Sequence, residues 1–246
     1  MNSLSQIIHT ISYMGLPLLF AMVLHEYAHG WMAEKCGDST AKHEGRLTIN
    51  PLAHIDPFGT IISPLICLIL PGSFLLGWAK PVPIDPRNMH QPRRDMALVA
   101  AAGPGMNLLL AVVSALLLAL ILTFEPTLSP RSATEAEESS GLLTTMFLRP
   151  IAVMALYSVM INVFLALFNL LPIPPLDGGR ILTALLPPKP AMTLARLEPY
   201  GMLILVGLIV FDKELGIIHM ITGTFAKGLS GTILSTALGL RPGVAE

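Results

Sequence analysis

The sequence predicts an all-α protein that crosses a membrane several times, and two observations support this fold class. Hydrophobic residues make up 53% of the 246 residues and charged residues only 13%, whereas about a quarter of an ordinary soluble domain is charged. The apolar residues also gather into long segments, and about 20 residues suffice for a helix to cross a bilayer. The segments lie at 5–33, 58–78, 97–122 and 151–171, with a shorter one at 199–211. We therefore expect an integral, multi-pass membrane protein.

The first segment, 5–33, carries a charged motif near its end, His25-Glu26-Tyr27-Ala28-His29. Residues four apart lie on one face of a helix, so His25 and His29 can present two imidazole nitrogens to one tetrahedral metal ion. Glu26 points about 100° around the helix axis, where it can act as a general base beside the ion without binding it. Ionisable residues at membrane depth are costly and usually functional. The motif therefore predicts a zinc site with two of its ligands and a base.

The second segment, 58–78, is long enough to cross the membrane but contains prolines and a glycine that interrupt a helix. Basic residues lie on both of its flanks: Lys35, Lys42 and Arg46 before it, and Lys80, Arg87, Arg93 and Arg94 after it. Because Lys and Arg favour the cytoplasmic side, both flanks belong there. Broken backbone at membrane depth is tolerated where protein or a water-filled cavity covers it. We expect 58–78 to be a re-entrant element that enters and returns.

The third and fourth segments, 97–122 and 151–171, are each long enough to span. Two crossings return the chain to the side on which the first motif ends. There the sequence Asn169–Arg180 contains three prolines that stop a helix and a Gly pair that permits a tight turn. A catalytic zinc usually has three protein ligands, and Asp177 in this stretch is the best candidate for the third. The alternative is a solvated aspartate in a turn at a membrane exit.

The remainder of the chain is less distinctive. The segment 199–211 is marginal as a span, and 213–246 resembles a weakly amphipathic end. We expect a single membrane-embedded domain over 1–246, with a catalytic core at about 5–186 and a C-terminal helical extension at about 190–246. Among the other histidines, His54 lies in a turn-rich loop. It is a metal ligand, a residue that handles substrate, or merely a solvated residue at the surface.

Three sequence blocks in this order resemble the site-2 protease family of intramembrane zinc metalloproteases. They are His25–His29, which is similar to H-E-x-x-H; Ala102–Asn107, similar to G-P-x-x-N; and Asn169–Gly179, similar to N-x-x-P-x-x-x-L-D-G. The resemblance implies a core of three transmembrane helices, in a minimal form without a PDZ or regulatory domain. A re-entrant or β-strand element would lie between the first and second of these helices, and C-terminal helices would follow.

The resemblance also assigns the site. It implies one catalytic Zn²⁺ with His25, His29 and Asp177 as ligands and Glu26 as general base. Asn107 is expected near the site, where its amide could hold the substrate backbone or the oxyanion, although an asparagine that packs helices together is the alternative. We place Asn169 with Asn107 and His54 among the residues that could contact substrate. The stretch 77–84 resembles an extended strand that could pair with an unwound substrate.

The expected function is endoproteolysis of a transmembrane or membrane-proximal segment of a partner membrane protein. Its partners would be that protein and membrane lipid; a net charge of −1 without a basic, aromatic patch argues against nucleic acid. The expected location is the inner or plasma membrane of a prokaryotic cell, with the active site nearer the cytoplasm. The alternatives are a membrane metal carrier or transporter that uses the same histidines and a proteolytically silent scaffold that binds helices.

Overall fold

The computed structural model describes residues 3–62, 79–125, 128, 144–211, 216 and 220–239. This part of the chain is mostly helical, as predicted, and none of it forms a β-strand. The α-helices are α1 (Ser3–Lys35), α2 (Thr40–His43), α3 (Pro92–Phe124), α4 (Arg149–Asn169), α5 (Asp177–Leu185), α6 (Pro188–Ala195), α7 (Gly201–Val210) and α8 (Lys227–Ala237). Tighter 3₁₀ turns occur at Pro51–His54, Pro86–Asn88 and Glu198–Tyr200, and wider π-helical turns at Pro57–Ile62, Thr144–Leu148 and Ile221–Ala226.

Two helices of the described residues are long and apolar enough to cross a membrane: Pro92–Phe124, with 33 residues, and Met146–Asn169, with 24. They coincide with the predicted spans at 97–122 and 151–171. The third crossing, by the first helix, stays a prediction, as do any C-terminal crossings. The re-entrant element expected at 58–78 also stays a prediction, because residues 63–78 lie outside the described residues.

The start of α3 and the end of α4 follow from local chemistry. Pro92 occupies the first position of α3, where its missing N–H is harmless, and the Asp95 carboxylate accepts the Gln91 N–H at 2.7 Å. The helix α4 ends at Asn169, three residues before the first proline of the following loop. Because proline removes a backbone donor and clashes with the preceding turn, the helix cannot continue through that loop.

The chain packs into two compact units. The first unit comprises Met1–Ala21, Asn107–Phe168 and Leu208–Glu246, and the second comprises Met22–Met106 and Asn169–Gly207. The prediction of a single domain over 1–246 is not tested by this division and stays a prediction.

The first unit is built on small buried side chains of α3 and α4. Its core includes Ala111, Ala115, Ala152, Ala155 and Val159, and small residues allow membrane helices to approach closely. Polar side chains join the same two helices, since Ser114 Oγ donates to Ser158 Oγ at 2.8 Å. The outward side of α3 exposes large apolar side chains of the kind that lipid covers: Leu109, Val112, Val113, Leu116, Leu117, Leu120 and Phe124.

The second unit contains the C-terminal part of α1, the loops that follow it, the start of α3, and α5 to α7. Its apolar cluster comprises Ala33, Cys36, Met89 and Val99. After α1 the chain turns at Gly37, whose φ of 108° favours glycine. Beside this turn, the Cys36 carbonyl accepts the His90 N–H at 3.0 Å, which holds the loop before α3 against the end of α1.

The expected strand at 77–84 is wrong for its described part, residues 79–84. Side chains take up most of the bonded backbone groups of the segment 79–85, and no neighbouring strand among the described residues does so. Arg46 donates to the carbonyls of Lys80 and Pro81 at 2.9 and 3.1 Å, and the Val82 N–H donates to Glu26 at 2.9 Å. Pro81 and Pro83 have no N–H to donate. The segment therefore has no partner strand among the described residues.

Candidate metal centre

Three buried side chains of the second unit converge on one point. His25 Nε2 lies 3.2 Å from Asp177 Oδ2, His29 Nε2 lies 3.4 Å from Asp177 Oδ1, and the two Nε2 atoms are 3.0 Å apart. The three residues are 8%, 5% and 5% exposed. Within the described part of the chain, no other three His, Cys, Asp or Glu side chains are grouped so that they could hold a metal ion. The structure thus brings together the three residues predicted from sequence.

The helix α1 supplies both imidazoles from adjacent turns. Their ring centroids are 4.6 Å apart and the rings are nearly perpendicular, at 85°. His29 is held from its other side, where Nδ1 lies 2.7 Å from the Val99 carbonyl of α3. A carbonyl only accepts hydrogen bonds, so Nδ1 carries the hydrogen, and in the neutral ring Nε2 is then the nitrogen whose lone pair can bind a metal ion.

Asp177 is the first residue of α5, and the start of this helix packs tightly on the preceding loop. A Cβ at Gly178 would fall far inside van der Waals contact of the Leu170 and Leu171 carbonyls, and one at Gly179 would lie 2.7 Å from the Pro174 nitrogen. The sequence predicts a tight turn at this Gly pair. Its effect in the structure is a close approach of backbone to backbone, which places Asp177 beside the histidines.

Gly103 of α3 has no side chain, and this leaves open the space beside the Nε2 atoms of His25 and His29. A Cβ at this position would be 2.6 Å from His25 Nε2 and closer still to His29 Nε2. In the sequence, Gly103 stands out only as part of the Ala102–Asn107 block, which gives it no role of its own. The sequence feature that could have identified Gly103 is a glycine directly before Pro104 in an apolar segment, because glycine is unfavourable inside a helix.

The residues present fit a zinc ion. Two imidazole nitrogens and one carboxylate oxygen are a usual catalytic zinc donor set and leave a fourth position open. Asp177 Oδ2 is buried and makes no hydrogen bond of good geometry with the described residues, so it is an acceptor that a cation would satisfy. Gly103 leaves room where an ion or its fourth ligand would lie.

Glu26 stands beside this group and is not part of it. Its side chain is half-buried, and Oε2 accepts the Val82 N–H at 2.9 Å. This agrees with the helical geometry of the motif, which turns Glu26 away from the face shared by His25 and His29.

The other three candidate residues have their own contacts. Asn107 belongs to the first unit, is fully buried, and donates from Nδ2 to the Ala21 carbonyl at 3.3 Å and to Asn162 Oδ1 at 2.8 Å. Asn169 is the last residue of α4 and is half-buried. Substrate contact by these residues stays a prediction.

His54 is 2% exposed and therefore is not a solvated surface residue. Its Nε2 bonds to the Thr48 carbonyl at 2.8 Å, and its Nδ1 is buried without a hydrogen-bond partner among the described residues. This arrangement fastens the loop at Thr48–His54. A direct role in handling substrate stays a prediction.

Comparison with known proteins gives one family. The sequence profile of Peptidase family M50 matches residues 13–211. A protein of Bacillus subtilis with the name "Putative zinc metalloprotease YwhC" is 37% identical over 204 residues, which are 83% of this chain and 82% of that protein. The "Putative zinc metalloprotease Rip2" of Mycolicibacterium smegmatis is 31% identical over 210 residues, 82% of this chain and 71% of that protein. No solved structure matches the chain significantly.

Proposed function

Because the chain belongs to peptidase family M50, the site-2 protease family of membrane zinc proteases, we propose that it cuts a transmembrane or membrane-proximal segment of a partner membrane protein. The observation that carries this proposal is the buried group His25, His29 and Asp177 with Glu26 beside it. The two helices long and apolar enough to cross a membrane suit a substrate that is itself embedded in lipid.

His25, His29 and Asp177 would hold one zinc ion, which when bound polarises the scissile carbonyl and lowers the pKa of a water molecule to about 7. The carbonyl of Val99 keeps the His29 ring in the tautomer whose Nε2 lone pair can bind a metal ion. Gly103 keeps the adjoining space free of side-chain atoms.

Glu26 would transfer the proton. With Oε2 held by the Val82 N–H, Oε1 is the oxygen left to take a proton from the attacking water and later to give it to the leaving amide nitrogen. The hydrogen bond to Val82 limits rotation of the carboxylate, so the base keeps one orientation through both transfers.

The segment 79–85 would receive the substrate backbone. Among the described residues, the Val82 carbonyl and the Ile84 N–H make no hydrogen bond. A helical substrate must unwind before a peptide bond can reach Glu26, and an unwound stretch could pair with these two groups. Asn107 Nδ2 donates to the Ala21 carbonyl and to Asn162 Oδ1, and support of the oxyanion by this amide stays a prediction.

The expected location of the protein in the cell rests on the charge of its loops and on the sources of its relatives. We expect a prokaryotic cell membrane, with the site nearer the cytoplasm, because basic residues flank the catalytic segments. The bacterial sources of the relatives support this expectation.

The first prediction concerns Glu26→Gln in the purified full chain. We expect cleavage of a membrane substrate to fall by a factor of about 100 or more, since a general base typically contributes at least this much. Zinc content should remain at one ion per chain, because Glu26 is not in the ligand group. Retained cleavage would refute the assignment of Glu26.

Two variants serve as controls for Glu26→Gln. Glu34→Gln makes the same change on the same helix at a residue paired with Lys42 at 2.7 Å and away from the metal group, so activity should persist. Asp177→Ala should instead lose zinc, and unchanged zinc content would remove Asp177 from the ligand set. Metal flux into vesicles without any cleavage would favour the metal carrier.

A further inference from the structure

Asp38 is a buried carboxylate that takes no part in the metal group. It lies in the turn after α1 and is 0% exposed. A buried charge is costly unless hydrogen bonds compensate it, and Asp38 accepts four: from the N–H and hydroxyl of Thr40, the Asp85 N–H at 2.7 Å, and Asn88 Nδ2 at 3.1 Å. Burial by itself raises the pKa of Asp38, but these hydrogen bonds outweigh it and hold the pKa below its ordinary value.

Two of these bonds join parts of the chain that are distant in sequence. Oδ2 holds the backbone of Asp85, and Oδ1 holds the side chain of Asn88. Asp38 therefore attaches the C-terminal end of the segment 79–85 to the end of α1.

The N-terminal end of the segment is held separately. The Lys80 N–H donates to the His54 carbonyl at 2.9 Å. Arg46 donates to the carbonyls of Lys80 and Pro81 and also to the Ala53 carbonyl, so it ties the segment to the loop at Thr48–His54. Both ends of the segment are thus fixed by groups outside it.

Val82 lies between these two attachments. Its side chain is 6% exposed and packs beside Gly30 of α1, where an added Cβ would be 3.0 Å from Val82 Cγ1. Its N–H donates to Glu26 Oε2 at 2.9 Å. The position of the Val82 N–H relative to Glu26 therefore depends on the two attachments that hold the segment.

We propose that Asp38 is a positioning residue for Glu26: by fixing Asp85 and Asn88, it places the Val82 N–H that orients the carboxylate. The proposal rests on the proposed function for the role of Glu26. The chemistry requires a carboxylate, because all four groups that face Asp38 are donors. An asparagine at this position would turn an NH₂ group toward one of those donors and break the arrangement.

Amide hydrogen exchange in the metal-free chain tests the link without reference to activity. In the native protein the Val82 amide should be protected by its bond to Glu26. In Asp38→Asn we expect Val82 to exchange about tenfold faster. Asp95→Asn is the matched control, since Asp95 is also buried and also accepts one backbone N–H, from Gln91, without touching the segment.

Asn88→Ala provides a milder variant in case Asp38→Asn does not fold. Asn88 is exposed, and its removal takes away one of the two long-range bonds to Asp38. We expect a smaller acceleration of exchange at Val82, in the same direction. Unchanged exchange at Val82 in both variants would overturn the proposal.

Kinetics with a membrane substrate then test whether the link reaches Glu26. Asp38→Asn should lower kcat about tenfold while zinc content stays as in the native enzyme, because the metal ligands are untouched. Val82→Pro removes the N–H directly, and adding Asp38→Asn to it should cause little further loss. If the two substitutions together reduce kcat by the product of their separate effects, Asp38 acts by another route.

A native chain that cleaves nothing would refute the proposed function, while the exchange experiment would still decide the link between Asp38 and Val82.

Discussion

Gly103 and the two histidines illustrate how much a single residue determines at this centre. His25 and His29 lie four residues apart, so their convergence follows from the helix alone. Gly103 belongs to another helix, and its importance comes from the space it leaves beside the two Nε2 atoms. A sequence pattern identifies the ligands, since their residue types carry the chemistry. It does not reveal which small residue must face them.

Gly103→Ala is predicted to weaken metal binding. The added methyl group would lie 2.6 Å from His25 Nε2, so the imidazoles or α3 must shift, and we expect zinc affinity to fall by about 10- to 100-fold, the size of effect seen for groups that orient ligands. Competition with a zinc-binding dye would measure this. Gly105→Ala is the control, because nothing lies within 4 Å of its added Cβ. Equal affinities in the two variants would contradict the role given to Gly103.

At the scale of elements, the described part of the chain divides between helices that the sequence predicted and a connection that it did not. The apolar segments predicted α3 and α4 because a membrane helix satisfies its backbone internally and needs only apolar length. A strand needs a partner, and the pattern at 79–84 could not show that the described residues would provide none. Arg46, Glu26 and Asp38 bind the backbone there instead. Side-chain contacts of this kind depend on the packing of distant segments.

The connection between α1 and α3 should show a specific dependence on pH. Because the pKa of Asp38 is lower in the folded protein than its ordinary value of 3.8, the ionised carboxylate stabilises the fold. This contribution is complete above pH 3.8 and is lost as the pH falls through the lower, folded value. We expect Asp38→Asn to destabilise the protein at neutral pH. Its stability should differ less from that of the native protein as the pH falls below 3.8. Unfolding midpoints in detergent between about pH 3 and pH 7 would measure it, and a constant difference would contradict the prediction.

At the scale of the whole molecule, the expected arrangement in the membrane depends on two crossings. The helices Pro92–Phe124 and Met146–Asn169 are each long and apolar enough to span, and we expect them to cross, which would leave the chain before the first and the chain after the second on one side. This is consistent with Asp177, after the second crossing, reaching the histidines that precede the first. The basic flanks favour the cytoplasm for that side.

Labelling of single cysteines tests this topology. In a chain without Cys36 and Cys67, cysteines at Arg87 and Lys189 should react with an impermeant reagent from the cytoplasmic side, because both residues are exposed and lie on the catalytic side of the crossings. A cysteine at Ser139, in the connection between the two spans, should react from the opposite side. Labelling of all three from one side would contradict two crossings.

The sequence by itself determined the chemistry that depends on composition and local spacing. Low charge and apolar length predicted the membrane helices, and the spacing of His25, Glu26 and His29 predicted two ligands and a base on one helix. Sequence order and the crossing count pointed to Asp177, but only the tertiary structure brought it within 3.4 Å of both histidines. The tertiary structure alone decided that Gly103 leaves the centre open and that Val82 and Asp38 connect to Glu26. These are contacts between segments far apart in sequence, and they form only when helices and loops pack against one another.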